Sequence, residues 1–196
     1  MKAKQFDKLA KEAFGSVLHD FGFTSEGSRW CTFHRQVNED IYHFILPDLS
    51  SRGVWYDVKV FATCPRLDPL FSEKFPDSLG IPTDYCYLAP SGIGLDQTSF
   101  NTKSEENFRN RFKIQVASLL TNVAIPYLDR IQSLEDLLPL IQSPHYIAIA
   151  SFYLYGDEKS RELLRQQHKR FLSYETDDKA IVSILTLIEG LLATPS

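Results

Sequence analysis

Within the first 21 residues, Phe6, Leu9, Ala10, Ala13, Phe14, Val17, Leu18 and Phe21 recur at offsets of 3, 4, 7, 8, 11, 12 and 15. That spacing draws one continuous apolar stripe along an α-helix. Lys4, Lys8, Lys11, Glu12 and Asp20 fall largely off the stripe, and Gly22 supplies a stop. A helix with one apolar face must bury it against a second layer. The chain offers that layer at once, in aromatic-rich segments at Trp30–Arg35, Ile41–Leu46 and Val54–Cys64. The predicted fold class is therefore α+β: an N-terminal helix packed on an antiparallel sheet of about four strands, followed by a helical C-terminal part.

Alternation assigns the strand faces. Trp30, Thr32 and His34 share one side of the first strand, and Cys31, Phe33 and Arg35 the other. Asn38 and Asp40 carry turn chemistry. Ile41–Leu46 is apolar on both sides, as a central strand is. Pro47 is expected to end its ladder, because proline has no N–H to donate. Asp48–Gly53 then reads as a polar loop. Val54, Tyr56, Val58, Val60 and Ala62 read as a core face, opposite Trp55, Asp57, Lys59 and Phe61. Prolines and glycines break up residues 65–101. A short helix over Leu67–Phe75 and an edge strand or hairpin from Tyr85–Leu88 and Gly92–Leu95 are expected there. A stretch of this length with few clear elements is often a functional loop.

Thr102 with Glu105 fits a capping box for a second helix. Its stripe is Phe108, Phe112, Val116, Leu119, Leu120 and Val123, and Pro126 should kink or end it. Ser133 is placed to cap a short helix. Residues 1–131 form the expected α+β domain, and residues 132–196 a helical extension packed on it. Ser143–Pro144 is a helix start signal and Gly156 a stop. Asp157, and then Asp177 or Asp178, are candidate caps for two further helices.

Composition narrows function by exclusion. The net charge is −4 and the sequence pI about 5.7, the opposite of the basic footprint of a nucleic-acid binder. The balance favours basic partners. No run of about 18 apolar residues occurs, so no membrane partner is expected. Lysines and acids interrupt the first 15 residues, unlike a secretory leader, which points to the cytoplasm. Cys31, Cys64 and Cys86 are odd in number and widely spaced, so free thiols are expected rather than a disulfide or zinc site. The five histidines show no zinc-helix spacing. Ser91–Asp96 contains only G-x-G, too little for a phosphate loop. No metal and no cofactor is expected.

FDKLAKEAFGSVLHDFGF, then Gly27, the aromatic strand from Trp30 to Arg35, IYHFIL and VWYDVKVFA together resemble a bacterial family, domain of unknown function 4304. The segment SEENFRNRF…IPYLDRIQSLEDLLPLI is similar to that family's C-terminal part. The likeness covers about two thirds of the chain and implies a fold, not an activity. The family pattern carries glutamine at the end of the second strand and asparagine in the third. Pro47 and Lys59 stand at those positions here, so a site built on the two amides is not implied.

Two function classes follow. The leading one is a non-enzymatic protein-interaction module, most concretely an immunity-type protein that neutralises a toxin domain. Its binding surface would be Trp55, Asp57 and Lys59, at least partly exposed, joined by Arg35 if the strand registers permit. Aromatics mixed with charges suit such a surface, because Trp, Tyr and Arg supply most interface hot spots. The rival is a small enzyme with a site between the sheet and the 65–101 loop. His43, Asp57 or Arg35 would then carry the chemistry, His43 as a base in a pocket.

Overall fold

Helix α1 (Ala3–Leu18) buries Phe6, Leu9, Ala10, Phe14 and Leu18, the expected stripe. Phe21 departs from it and is exposed. A 3₁₀ turn over His19–Phe21 swings it off the stripe before Gly22, at φ 78°, turns the chain. The computed structural model describes residues 1–25, 31–69, 86–174 and 177–194. Trp30, Tyr85 and most of the expected Leu67–Phe75 helix lie outside the described residues; Pro65–Leu67 is a single 3₁₀ turn.

Among the described residues the expected antiparallel sheet has six strands, slightly more than the four or so anticipated: β1 (Phe33–Gln36), β2 (Tyr42–Leu49), β3 (Trp55–Thr63), β4 (Cys86–Ala89), β5 (Gly92–Gly94) and β6 (Ser99–Asn101). The order is β1-β2-β3-β4-β5, and β6 pairs with β3 alongside Trp55–Asp57. Strands β4 and β5 form the expected hairpin, which uses the G-x-G run as sheet. β2 runs through Pro47, correcting the expected break. Ser50 N–H bonds Trp55 O, and alternation along an antiparallel pair then turns the Pro47 nitrogen away from β3. On that other side β1 has already ended, its pairing reaching only Ile45, so no ladder bond is lost.

The core face carries Phe33, Ile45, Tyr56, Val58 and Val60, all buried. Phe14 sits at its centre, with ring centroids 5.0 Å from Phe112, 6.1 Å from Phe33 and 6.3 Å from Tyr56.

A helical rod, α2, covers residues 105–128. Its cap is Ser104, which accepts from Asn107 N–H at 3.1 Å. Thr102, the expected cap, is instead buried and tied to the sheet through Val54 O at 2.9 Å. Phe108, Phe112, Val116, Leu120, Ala124 and Leu128 are all buried, a strict spacing of four. An α-helix of 3.6 residues per turn drifts about 40° at each such step, so Leu128 would lie about 200° round from Phe108. The rod corrects this with two π-helical turns, Phe112–Val116 and Leu120–Ala124. In them Ala117 N–H reaches Phe112 O, and Ile125 N–H reaches Leu120 O, each five residues back. Each π turn absorbs roughly one residue, or about 100°, so the two together keep the stripe on the sheet. Pro126 follows the second π turn and does not end the helix, which continues through Leu128. The wider ladder falls where the ring would otherwise meet an α-helical carbonyl.

Further α-helices among the described residues are α3 (Leu134–Leu137), α4 (Pro144–Tyr155), α5 (Glu158–Leu172) and α6 (Lys179–Ala193). Ser133 caps α3 in a reciprocal box with Asp136, Asp157 caps α5 and Asp178 caps α6. Gly156 ends α4 at φ 59°. The larger cluster of buried apolar residues runs from Phe6 to Ile188, so these helices share a core with the sheet.

Candidate functional site

Register decides which candidate residues meet. Trp55 lies opposite Asn101; Asp57 lies between Asp48 and Ser99; Lys59 lies between Leu46 and Tyr87. These residues share the sheet face away from α1 and α2. Trp55 is 41% exposed at its open end. Lys59 is half-buried and pairs with Asp48 at 2.8 Å. Asp57 is buried, at 6% exposure, which corrects the expectation of an accessible acid. Its carboxylate accepts from Ser99 Oγ at 2.6 Å and from the Gln97 amide. Further along this face Tyr42, Phe44, Leu46 and Phe61 form a second buried apolar cluster, with Phe44 and Phe61 stacked at 5.0 Å. Among the described residues of this face, Trp55 and the exposed Asp48 diagonal to it meet solvent most as a mixed surface.

A cavity of about 220 Å³ opens beside the unpaired stretch of β2. Ala3, Asp7, Leu46, Pro47, Leu49 and the Asp48–Lys59 pair line it, with Cys31 in its wall. Burial raises the Asp7 carboxyl above its usual pKa and pushes the Cys31 thiol up to about 12, which leaves that thiol unreactive. Small-molecule sites usually run from about 300 to 1,000 Å³. This one suits a single inserted side chain.

Arg35 does not join that face. Phe33 pairs with Ile45 and Ile45 with Val60, so Arg35, His43 and Ala62 lie together on the core face. Arg35 Nη1 donates to Phe21 O at 3.1 Å, and its guanidinium stands 4.7 Å over the Phe23 ring. Nε and Nη2 approach His43 Nδ1 at 3.2 and 3.1 Å, and Nη2 also pairs with Asp129. His43 is fully buried, and its Nε2 lies 2.7 Å from Ile131 O. Both ring nitrogens are engaged and burial lowers its pKa to about 4, so the ring has no free nitrogen with which to take a substrate proton. His34 points to the opposite face from Arg35, so the two do not form an anion site.

The sequence reasoning missed Asp48, Gln97, Ser99 and Asp129. The strand beyond Pro47 and the three-residue β6 hid the first three; nothing local marks Asp129 as a partner of Arg35. Among the described residues no group of histidine, cysteine and acidic side chains is arranged for a metal ion, and no helix is long and apolar enough to cross a membrane. Scans against protein-family models, curated proteins and solved structures find no match.

Proposed function

We propose that this chain is a protein-interaction module whose partner docks on the Trp55 end of the open sheet face. The observation that carries this reading is the parting of the chemical candidates. His43 and Arg35 lie on the core face, bonded to each other, while Asp57 lies on the far face, held by Ser99 and Gln97. An enzyme site needs such groups to converge on one reacting atom. The far face keeps Trp55 exposed, and at the edge of the sheet Asp48 and Lys59 line a cavity of about 220 Å³. Asp7 and Asp48 outnumber Lys59 in that cavity, and the chain carries a net charge of −4. A partner presenting a basic side chain fits both features. A basic toxin domain held inactive by this chain is the most specific form of the reading.

Capture from the native host, repeated with Trp55→Ala, tests it. The variant should melt like the wild type and bind the captured partner about 30-fold more weakly, the usual loss for a hot-spot tryptophan worth ~2 kcal/mol. Undiminished binding would refute the assignment. So would blue-shifted, quench-resistant Trp55 fluorescence in a Trp30→Phe background.

A further inference from the structure

We propose that Arg35 and His43 form an acid-released clasp on the joint between α2 and α3. The joint, residues 129–132, is gripped from the β1–β2 hairpin at three points. Arg35 pairs with Asp129, His43 bonds Ile131 O at 2.7 Å, and Asn38 Nδ2 donates to Gln132 O at 2.8 Å.

The chemistry of the partners fixes the ring's protonation. A guanidinium can only donate, so His43 Nδ1 must offer a lone pair to Arg35. A carbonyl can only accept, so Nε2 must carry the proton given to Ile131 O. The ring is therefore neutral and held in one tautomer. A further proton has one place to go, Nδ1. It ends both bonds from Arg35 and sets two cations against each other in a buried site.

The charges acting on the ring are Arg35 from β1, which opposes protonation, and Asp129 from the end of α2, which favours it. β3 presents only Ala62 opposite His43. On α3, Asp136 accepts from Gln132 N–H at 3.0 Å and from Ser133, and these bonds hold its carboxyl below the usual range. In the closed clasp the His43 pKa is about 4, against about 6.5 once the ring meets water. A depressed pKa means the closed state is favoured above about pH 6.5 and loses that advantage as pH falls toward 4. Opening of the joint should rise about a hundredfold between pH 7 and pH 4.

Amide hydrogen exchange across this range, corrected for intrinsic rates, tests the clasp. Ile131 and Gln132 should accelerate well ahead of strand amides such as Phe44 and Phe61. His43→Gln keeps an acceptor and a donor but does not titrate, so it should abolish the excess. His145→Gln, with a half-buried ring elsewhere, should leave it intact. Equal acceleration of joint and strand amides, an unchanged excess in H43Q, or its loss in H145Q would each overturn the proposal. Should H43Q fail to fold, the wild-type ring decides: titration near 4 as the Nε2–H tautomer supports the clasp, and titration near 6.5 overturns it.

Discussion

The two π turns of α2 make insertion and deletion unequal. Ile114 lies inside the first π turn and is 80% exposed. Deleting it removes the residue that the π turn absorbs. The turn should close to α-helical pitch, with Phe108 and Phe112 on one side, and Val116 and Leu120 on the other, keeping their faces. Only an exposed side chain is lost, so the cost should stay near 1 kcal/mol. Inserting an alanine after Ile114 adds a further rotation of about 100°. Val116, Leu120 and Leu128, each fully buried, would turn off the sheet. At about 1.5–3 kcal/mol for each buried aliphatic side chain, the loss approaches 6 kcal/mol, comparable with the whole stability of a small domain. Urea unfolding followed by circular dichroism reads both variants. The deletion should keep a cooperative transition and the insertion should lose it. Equal damage from the two would refute the account of the π turns as rotation correctors.

Phe14→Ala should destabilise the protein by about 3–5 kcal/mol, the range for a core phenylalanine, and an unchanged melting curve would remove α1 from the core. All three cysteines are free, so thiol titration of the unfolded, unreduced protein should count three; a count of one would mean a disulfide. Burial lowers both His43 and His145 to a pKa of about 4. Stability should therefore fall as pH drops from about 6.5 toward 4, by at most ~3 kcal/mol for each ring. His145→Gln should flatten part of that slope in urea titrations at stepped pH, and an unchanged slope would count against it.

What was legible in the chain was mostly local. The α1 stripe, the stops at Gly22 and Gly156, and the caps at Ser133, Asp157 and Asp178 depend on neighbours within one or two turns, and each stands where the pattern puts it. β6 was not legible. Ser99–Asn101 has no strand-like composition of its own and exists because Phe100 packs on Tyr56, with ring centroids 5.6 Å apart. The α2 stripe announced a helix but not its pitch, because a spacing of four passes for an α-helix over two turns and fails only over five. Exposure of Trp55 followed from alternation. Burial of Asp57 did not, since its donors Gln97 and Ser99 arrive from a distant strand and loop.

The candidate site turned on parity, which no single strand contains. Alternation sorts the residues within β1 and within β3, but the turns set how one sorting meets the other. Gln36 and Tyr42 close the β1–β2 hairpin, so odd residues of β1 meet odd residues of β2. Leu49 and Tyr56 close the next, so odd residues of β2 meet even residues of β3. Arg35 therefore shares a face with His43 and Ala62, and Trp55, Asp57 and Lys59 take the other. One residue more in either turn would reverse this and put Arg35 on the face that carries Asp57. An enzyme reading built on Arg35, His43 and Asp57 needs that reversed register. The register present sets Arg35 and the buried His43 on the core face and leaves the tryptophan partly in solvent, so residues that suggested chemistry take part in holding the joint between α2 and α3.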